Sequence, residues 1–163
     1  MSETKIDAPE GVPFIDIQRE FAAPRDLVYR AYTDPALLVQ WLGPRKYEMV
    51  IDEMDVRAGG RWRYVHRDPA GREYAFHGVF HGDQSPDGMV QTFEFEGAPG
   101  HVSLDRLVLE ERDGRTIART HSVFQSVEAR DAMVDNGMAD GMNDGYDRLD
   151  ELLSRLGSPA PIH

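Results

Sequence analysis

The chain has 163 residues, sets 18 Lys and Arg against 29 Asp and Glu, and holds no cysteine. That length suits one domain with a real core, and the missing thiols exclude disulfides, thiolate nucleophiles, cysteine zinc sites and iron–sulfur clusters together. A net charge of −11 with neutral histidines repels nucleic-acid phosphates and anionic bilayers, so neither nucleic acid nor membrane is an expected partner. No apolar run approaches the roughly 20 residues that span a bilayer. The polar, acidic start, Met1 to Gly11, lacks the pattern of a secretion signal, and a cytoplasmic protein is expected.

Residues 1–13 combine prolines, a glycine and charges and are read as a loose tail. One domain is expected over 14–156, and a second loose tail over 157–163. Phe14 to Phe21 reads as a strand. Pro24 can open a helix, with Asp26 near its positive end and Leu27, Val28, Ala31 and Tyr32 at helical spacing. Thr33-Asp34-Pro35 starts a second short helix, which Gly43-Pro44 stops.

Strand patterning then takes over. Candidates are Tyr47 to Val56, Arg61 to Arg67, Arg72 to Phe80, Met89 to Phe95, Val102 to Glu110 and Thr116 to Phe124. Turn chemistry separates them, with Asp113-Gly114 the strongest hairpin signal. Trp62, Tyr64 and His66 share one face by alternation, as do Tyr74, Phe76 and Phe80. About seven antiparallel strands follow. Ser126 is placed to cap a single long helix of about 28 residues. Val134, Met138, Met142, Gly145, Leu149, Leu152 and Leu156 mark its apolar side, and Asp140, Asp144, Asp147 and Glu151 the opposite one. The class is α+β: a curved antiparallel sheet gripping a long C-terminal helix, with two short helices after the first strand.

Several stretches carry a family resemblance. They are Phe21-Ala22-Ala23-Pro24 to Trp41-Leu42-Gly43-Pro44, Gly59-Gly60-Arg61-Trp62, Gly71-Arg72-Glu73-Tyr74, and Leu109 to Thr116. A last one runs from Gly137-Met138 through Gly141-Met142-Asn143-Asp144-Gly145-Tyr146 to Leu149. Over almost the whole domain the chain resembles the START/Bet v 1-like (SRPBCC) helix-grip superfamily. Within it, the chain is similar to the bacterial branch related to the activator of Hsp90 ATPase. The resemblance implies a deep cavity between sheet and long helix, suited to an apolar or aromatic small molecule. The eukaryotic activator has a further N-terminal domain for partner binding. With one domain here, an Hsp90-type partner is not expected.

Gly137, Gly141 and Gly145 recur every fourth residue of the expected helix, either for close packing or to leave ligand volume beside Met138 and Met142. The rich aromatic set supplies core and cavity walls. His77 and His81 sit four apart on a strand, about 13 Å, too far for one metal ion, and no metal site is expected. Asp140 to Glu151 imitates a calcium loop, but Met142 stands where an oxygen ligand belongs. No nucleophile elbow, phosphate loop or dinucleotide fingerprint is present, no catalytic residue is assigned, and no cofactor is expected. Glu94 and Asp105 qualify as acid–base groups only where they point inward. The expected cavity lining is Trp41, Trp62, Tyr64, Phe76, His77, Phe93, His121, Met138, Gly141, Met142 and Gly145.

Three functions fit this reading. The first is a binding protein for an apolar or aromatic small molecule. The second is a cyclase, dehydratase or hydrolase using a cavity His, Asp or Tyr. The third is a chaperone- or stress-related interaction module. A homodimer is compatible with each.

Overall fold

Glycine-bearing turns fold the middle of the chain into a meander. The structure, a computed structural model, describes residues 3–157. Its strands are β1 (Lys5–Asp7), β2 (Phe14–Phe21), β3 (Glu48–Met54), β4 (Arg61–Arg67), β5 (Glu73–Ser85), β6 (Gly88–Phe95), β7 (Val102–Arg112) and β8 (Arg115–Val123). They form one antiparallel sheet in the order β1-β2-β8-β7-β6-β5-β4-β3. Between β7 and β8, Asp113 (φ 52°) and Gly114 (φ 76°) make the two-residue turn, whose left-handed backbone matches the twist of the flanking strands. The described residues hold eight strands, one more than the pattern suggested. The extra one, β1, lies in the segment read as a tail, where Ile6 pairs with Ile17.

Two short helices, α1 (Arg25–Thr33) and α2 (Pro35–Leu38), carry the chain from β2, beside one edge, to β3 at the other. The Asp34 side chain accepts from the Ala36 amide at 3.0 Å, and Pro35 fills the first helical position, where no amide is needed.

The expected single long helix is instead two, α3 (Val127–Asp135) and α4 (Met138–Gly157). Ser126 does cap α3, its hydroxyl accepting from the Ala129 amide at 3.0 Å. The break is Gly137, at φ +77°, where only glycine avoids the left-handed penalty and the helix can end. An apolar stripe survives an interruption this short, so periodicity did not reveal it. At about 1.5 Å per residue, the 20 residues of α4 span roughly 30 Å. No described helix is long and apolar enough to cross a membrane. The expected C-terminal tail lies outside the described residues beyond Gly157.

Both helices are tied to the strand side. Buried Arg19 on β2 pairs with Asp147 at 3.0 Å and with Asp150, and its guanidinium lies 5.9 Å from the Tyr146 ring centre. Buried Arg130 on α3 donates to the Pro9 carbonyl at 2.6 Å. The dry core gathers Ile15, Phe21, Val28, Leu109, Leu149 and Leu152, each nearly inaccessible. It joins β2, α1, β7 and the C-terminal half of α4. Toward β3–β6 the sheet faces the N-terminal half of α4, where small residues stand, and there the packing opens into a cavity.

Candidate functional site

Cross-strand alternation builds the cavity floor. On β4, Trp62, Tyr64 and His66 point inward together, and on β5 Phe76 and Phe80 do so. Trp62 stacks on Tyr64 at 5.1 Å, Tyr64 meets Phe76 at 5.3 Å, and Phe76 meets Phe93 of β6 at 5.3 Å. Trp62 pairs with Gly78 on β5. A Cβ at that glycine would stand 2.7 Å from the indole and 1.9 Å from the Thr92 carbonyl oxygen. Glycine therefore lets the indole lie flat across the neighbouring strand.

The roof comes from α1, the end of α2 and α4. Trp41 follows α2 and donates its indole N–H to the Ala31 carbonyl at 3.0 Å. Its ring lies 4.8 Å from Tyr32 and 6.4 Å from Tyr146. The three glycines expected inside one helix do three different things. Gly137 breaks it. A Cβ at Gly145 would meet the Trp41 carbonyl at 3.2 Å and the Gly43 amide at 3.3 Å, so this position serves close packing. A Cβ at Gly141 would meet only Pro44, at 3.7 Å, and the position opens on the cavity beside Met138 and Met142.

The cavity measures about 430 Å³, the size of a small-molecule site. Exposed Glu53 marks its mouth. A second hollow of about 430 Å³ lies under α3, walled by Phe95, Phe124 and Met133, and shares the Phe93 ring with the first.

A small polar group stands in this apolar chamber. Asp105 alternates with Leu107 and Leu109 on β7, so it turns inward. It is partly accessible and lines the cavity. The Ser103 hydroxyl donates to it at 3.2 Å, and Ser122 stands opposite on β8. Burial pushes the Asp105 carboxyl above its ordinary value, and the Ser122 and Ser103 hydroxyls pull it partly back. Burial also raises the Tyr64 phenol, with a further contribution from the Asp105 charge. The Tyr146 phenol is raised by burial against the opposing pull of the Tyr32 and Thr120 hydroxyls. The Tyr32 hydroxyl is near enough to interact with Tyr146, yet closes no hydrogen bond of ordinary length. His66 is held neutral by burial first and Arg148 second, its pKa lowered to about 4.

Nine of the eleven expected residues meet at this cavity: Trp41, Trp62, Tyr64, Phe76, Phe93, Met138, Gly141, Met142 and Gly145. His77 and His121 are corrections, since both lie on the opposite sheet face. His77 is adjacent to inward Phe76, so the pleat turns it out, to Glu96 at 3.0 Å and Glu94 at 3.3 Å. His121 follows inward Thr120 and contacts Asp16 at 2.5 Å. Glu94 also faces away, accepting from the Gly100 amide at 2.9 Å. Tyr32, His66, Gln91, Thr120 and Tyr146 also line the cavity, although none was among the expected lining. For Tyr146 a signal existed: it lies four residues after Met142, one helical turn along the same face. Among the described residues no cluster of three or more His, Asp or Glu is placed to hold a metal ion.

Comparison with known proteins agrees with this architecture. A Rhodobacter sphaeroides protein of known crystal structure is 29% identical, with 94% of this chain and 99% of that one covered at a TM-score of 0.86. A solution structure from Arthrobacter aurescens is 25% identical over 98% and 96% of the two chains, TM-score 0.85. A Mycobacterium smegmatis crystal structure is 25% identical over the full length of both, TM-score 0.84. Among curated proteins, none matches the chain in sequence. The family model described as activator of Hsp90 ATPase homolog 1-like protein matches residues 22–154, which takes in α1, α2, β3–β8 and nearly all of α4. With that match, the chain belongs to the activator of Hsp90 ATPase homolog 1-like family, a branch of the START/Bet v 1-like superfamily.

Proposed function

We propose that the protein binds an apolar or aromatic small molecule between the sheet and α4. The observation that carries this reading is the cavity of about 430 Å³ walled by Trp62, Tyr64, Phe76 and Phe93. A close-packed interior leaves few voids larger than a water molecule, so a volume of this size represents forgone packing. Ligand burial offsets that loss at roughly 25 cal/mol per Å² of apolar surface. Aromatic walls favour a flat guest, which can stack without ordering many rotors. The small residue at Gly141 supports the same reading, because a larger side chain there would occupy the space a guest needs.

Native and denaturing mass spectra of freshly purified protein test the proposal. The expected result is extra mass in the native spectrum alone, or a Trp fluorescence change that saturates with a neutral aromatic probe such as N-phenylnaphthylamine. A clean apo mass together with no saturable response to such probes refutes it.

A further inference from the structure

The geometry points to a specific ligand class for this cavity: an aromatic molecule bearing a protonated amine, seated against the Asp105 carboxylate. The inference rests on the binding reading above and adds its chemistry.

Charge around the cavity is one-sided. Its lining contains two carboxylates, Asp105 in the interior and Glu53 at the mouth, and neither Lys nor Arg. The neighbouring cations are engaged elsewhere. Arg19 lies behind Tyr146 and is held by Asp147 and Asp150. Arg148 donates to the Gly43 carbonyl at 3.1 Å. Arg106, next to Asp105 on β7, is exposed. Among the described residues Asp105 has no ion-pair partner. Two neutral serine hydroxyls, Ser103 and Ser122, serve it, while an ionised carboxylate offers about four acceptor positions. A buried carboxylate without a cation is costly, and a ligand ammonium would supply the missing partner.

The walls favour the same charge. Trp62, Tyr64 and Phe93 line the cavity, and aromatic rings attract cations. A carboxylate ligand such as a fatty acid meets the reverse situation: two like charges and no cationic partner. Neutral phenols and alcohols fall between, since they can donate to Asp105 without balancing its charge.

Three probes sharing one ring system test this: naphthylmethylamine, naphthylmethanol and naphthylacetate. Affinities for the full chain are measured by calorimetry at low salt and at about 0.5 M salt, where the Debye length is only a few Å. The expected result is that the amine binds at least about tenfold tighter than the alcohol, with the acid weakest. The preference persists at high salt, which separates a buried partner from attraction to the acidic surface. Asp105→Asn removes the amine's advantage over the alcohol; Asp105→Ser serves if the first variant does not fold. Equal affinities for amine and alcohol, a stronger acid, or an amine preference intact in Asp105→Asn would overturn the inference while leaving the cavity reading standing. Failure of all three probes to bind overturns the inference, and together with a clean apo mass it overturns the cavity reading as well.

Discussion

His66 makes the protein sensitive to acid in a way that can be worked through. Its ring is buried among Tyr64 at 5.1 Å, Phe76 at 5.5 Å and Tyr47 at 6.0 Å. Its Nε2 has no hydrogen-bond partner among the described residues. Gly43 approaches so closely that a Cβ there would stand 2.3 Å from the ring. Burial therefore leaves an imidazolium poorly solvated, and nearby Arg148 opposes it. The pKa falls from 6.5 to about 4. Once unfolded, the same imidazole takes a proton readily, so acid favours the unfolded chain. The contribution is fully present above about pH 6.5 and is lost as the pH falls toward 4. At 1.36 kcal/mol per pH unit, the gap amounts to about 2 kcal/mol at pH 5 and about 3 kcal/mol at pH 4. Asp105 acts in the opposite sense. A carboxyl raised on folding favours the folded state in acid, so the raw profile of the protein is a sum. Comparing it with His66→Gln isolates the histidine. Urea unfolding between about pH 7.5 and pH 4.5 should show the protein losing roughly 2 to 3 kcal/mol more than the variant. His66→Phe provides a second neutral replacement in an aromatic setting. Parallel profiles for the protein and both variants would refute the reasoning.

Three further predictions follow from the helices and their contacts. Gly141→Leu, whose Cβ would meet only Pro44, should weaken N-phenylnaphthylamine binding by about tenfold or more while the far-UV spectrum stays unchanged; unaltered binding would remove Gly141 from the cavity roof. Gly137→Ala forces a left-handed backbone on a residue with a Cβ and should cost about 1 to 2 kcal/mol in urea unfolding, with Gly137→Asn costing less. A stable Gly137→Ala protein would show that the α3–α4 break does not depend on that conformation. Arg19→Met should destabilise by about 3 kcal/mol, the low end for a buried ion pair, because half-exposed Asp147 can rehydrate. A double-mutant cycle with Asp150→Asn should find coupling above about 0.5 kcal/mol, and additive losses would argue against the clamp.

Local chemistry determined much of this protein before any tertiary contact. Strand alternation puts Trp62 beside Tyr64 and His66 on one face, since a pleat leaves no other choice. Asp113-Gly114 dictates a tight turn, and Asp34 and Ser126 announce their helices, because caps and turns are satisfied by neighbours in the chain. Family motifs spread along the domain indicated the helix-grip arrangement. The same alternation should have excluded His77 and Glu94, which flank inward aromatics, and would have conditionally admitted Asp105 beside Leu107.

Other features required the assembled molecule. A helical stripe reads the same with or without a two-residue break, so the turn at Gly137 appeared only with its backbone angle. In β3 the register shifts between Ile51 and Glu53, and such a bulge reverses the faces beyond it without marking the sequence. Whether a glycine packs or leaves space depends on what stands across from it. Gly145 meets the Trp41 backbone, whereas Gly141 meets little, although the two occupy equivalent places on the helix. The polar group at the cavity draws Tyr32 from α1, Asp105 from β7, Thr120 from β8 and Tyr146 from α4. Only the fold brings these four together, because their proximity comes from long-range sheet order and helix docking rather than from spacing along the chain.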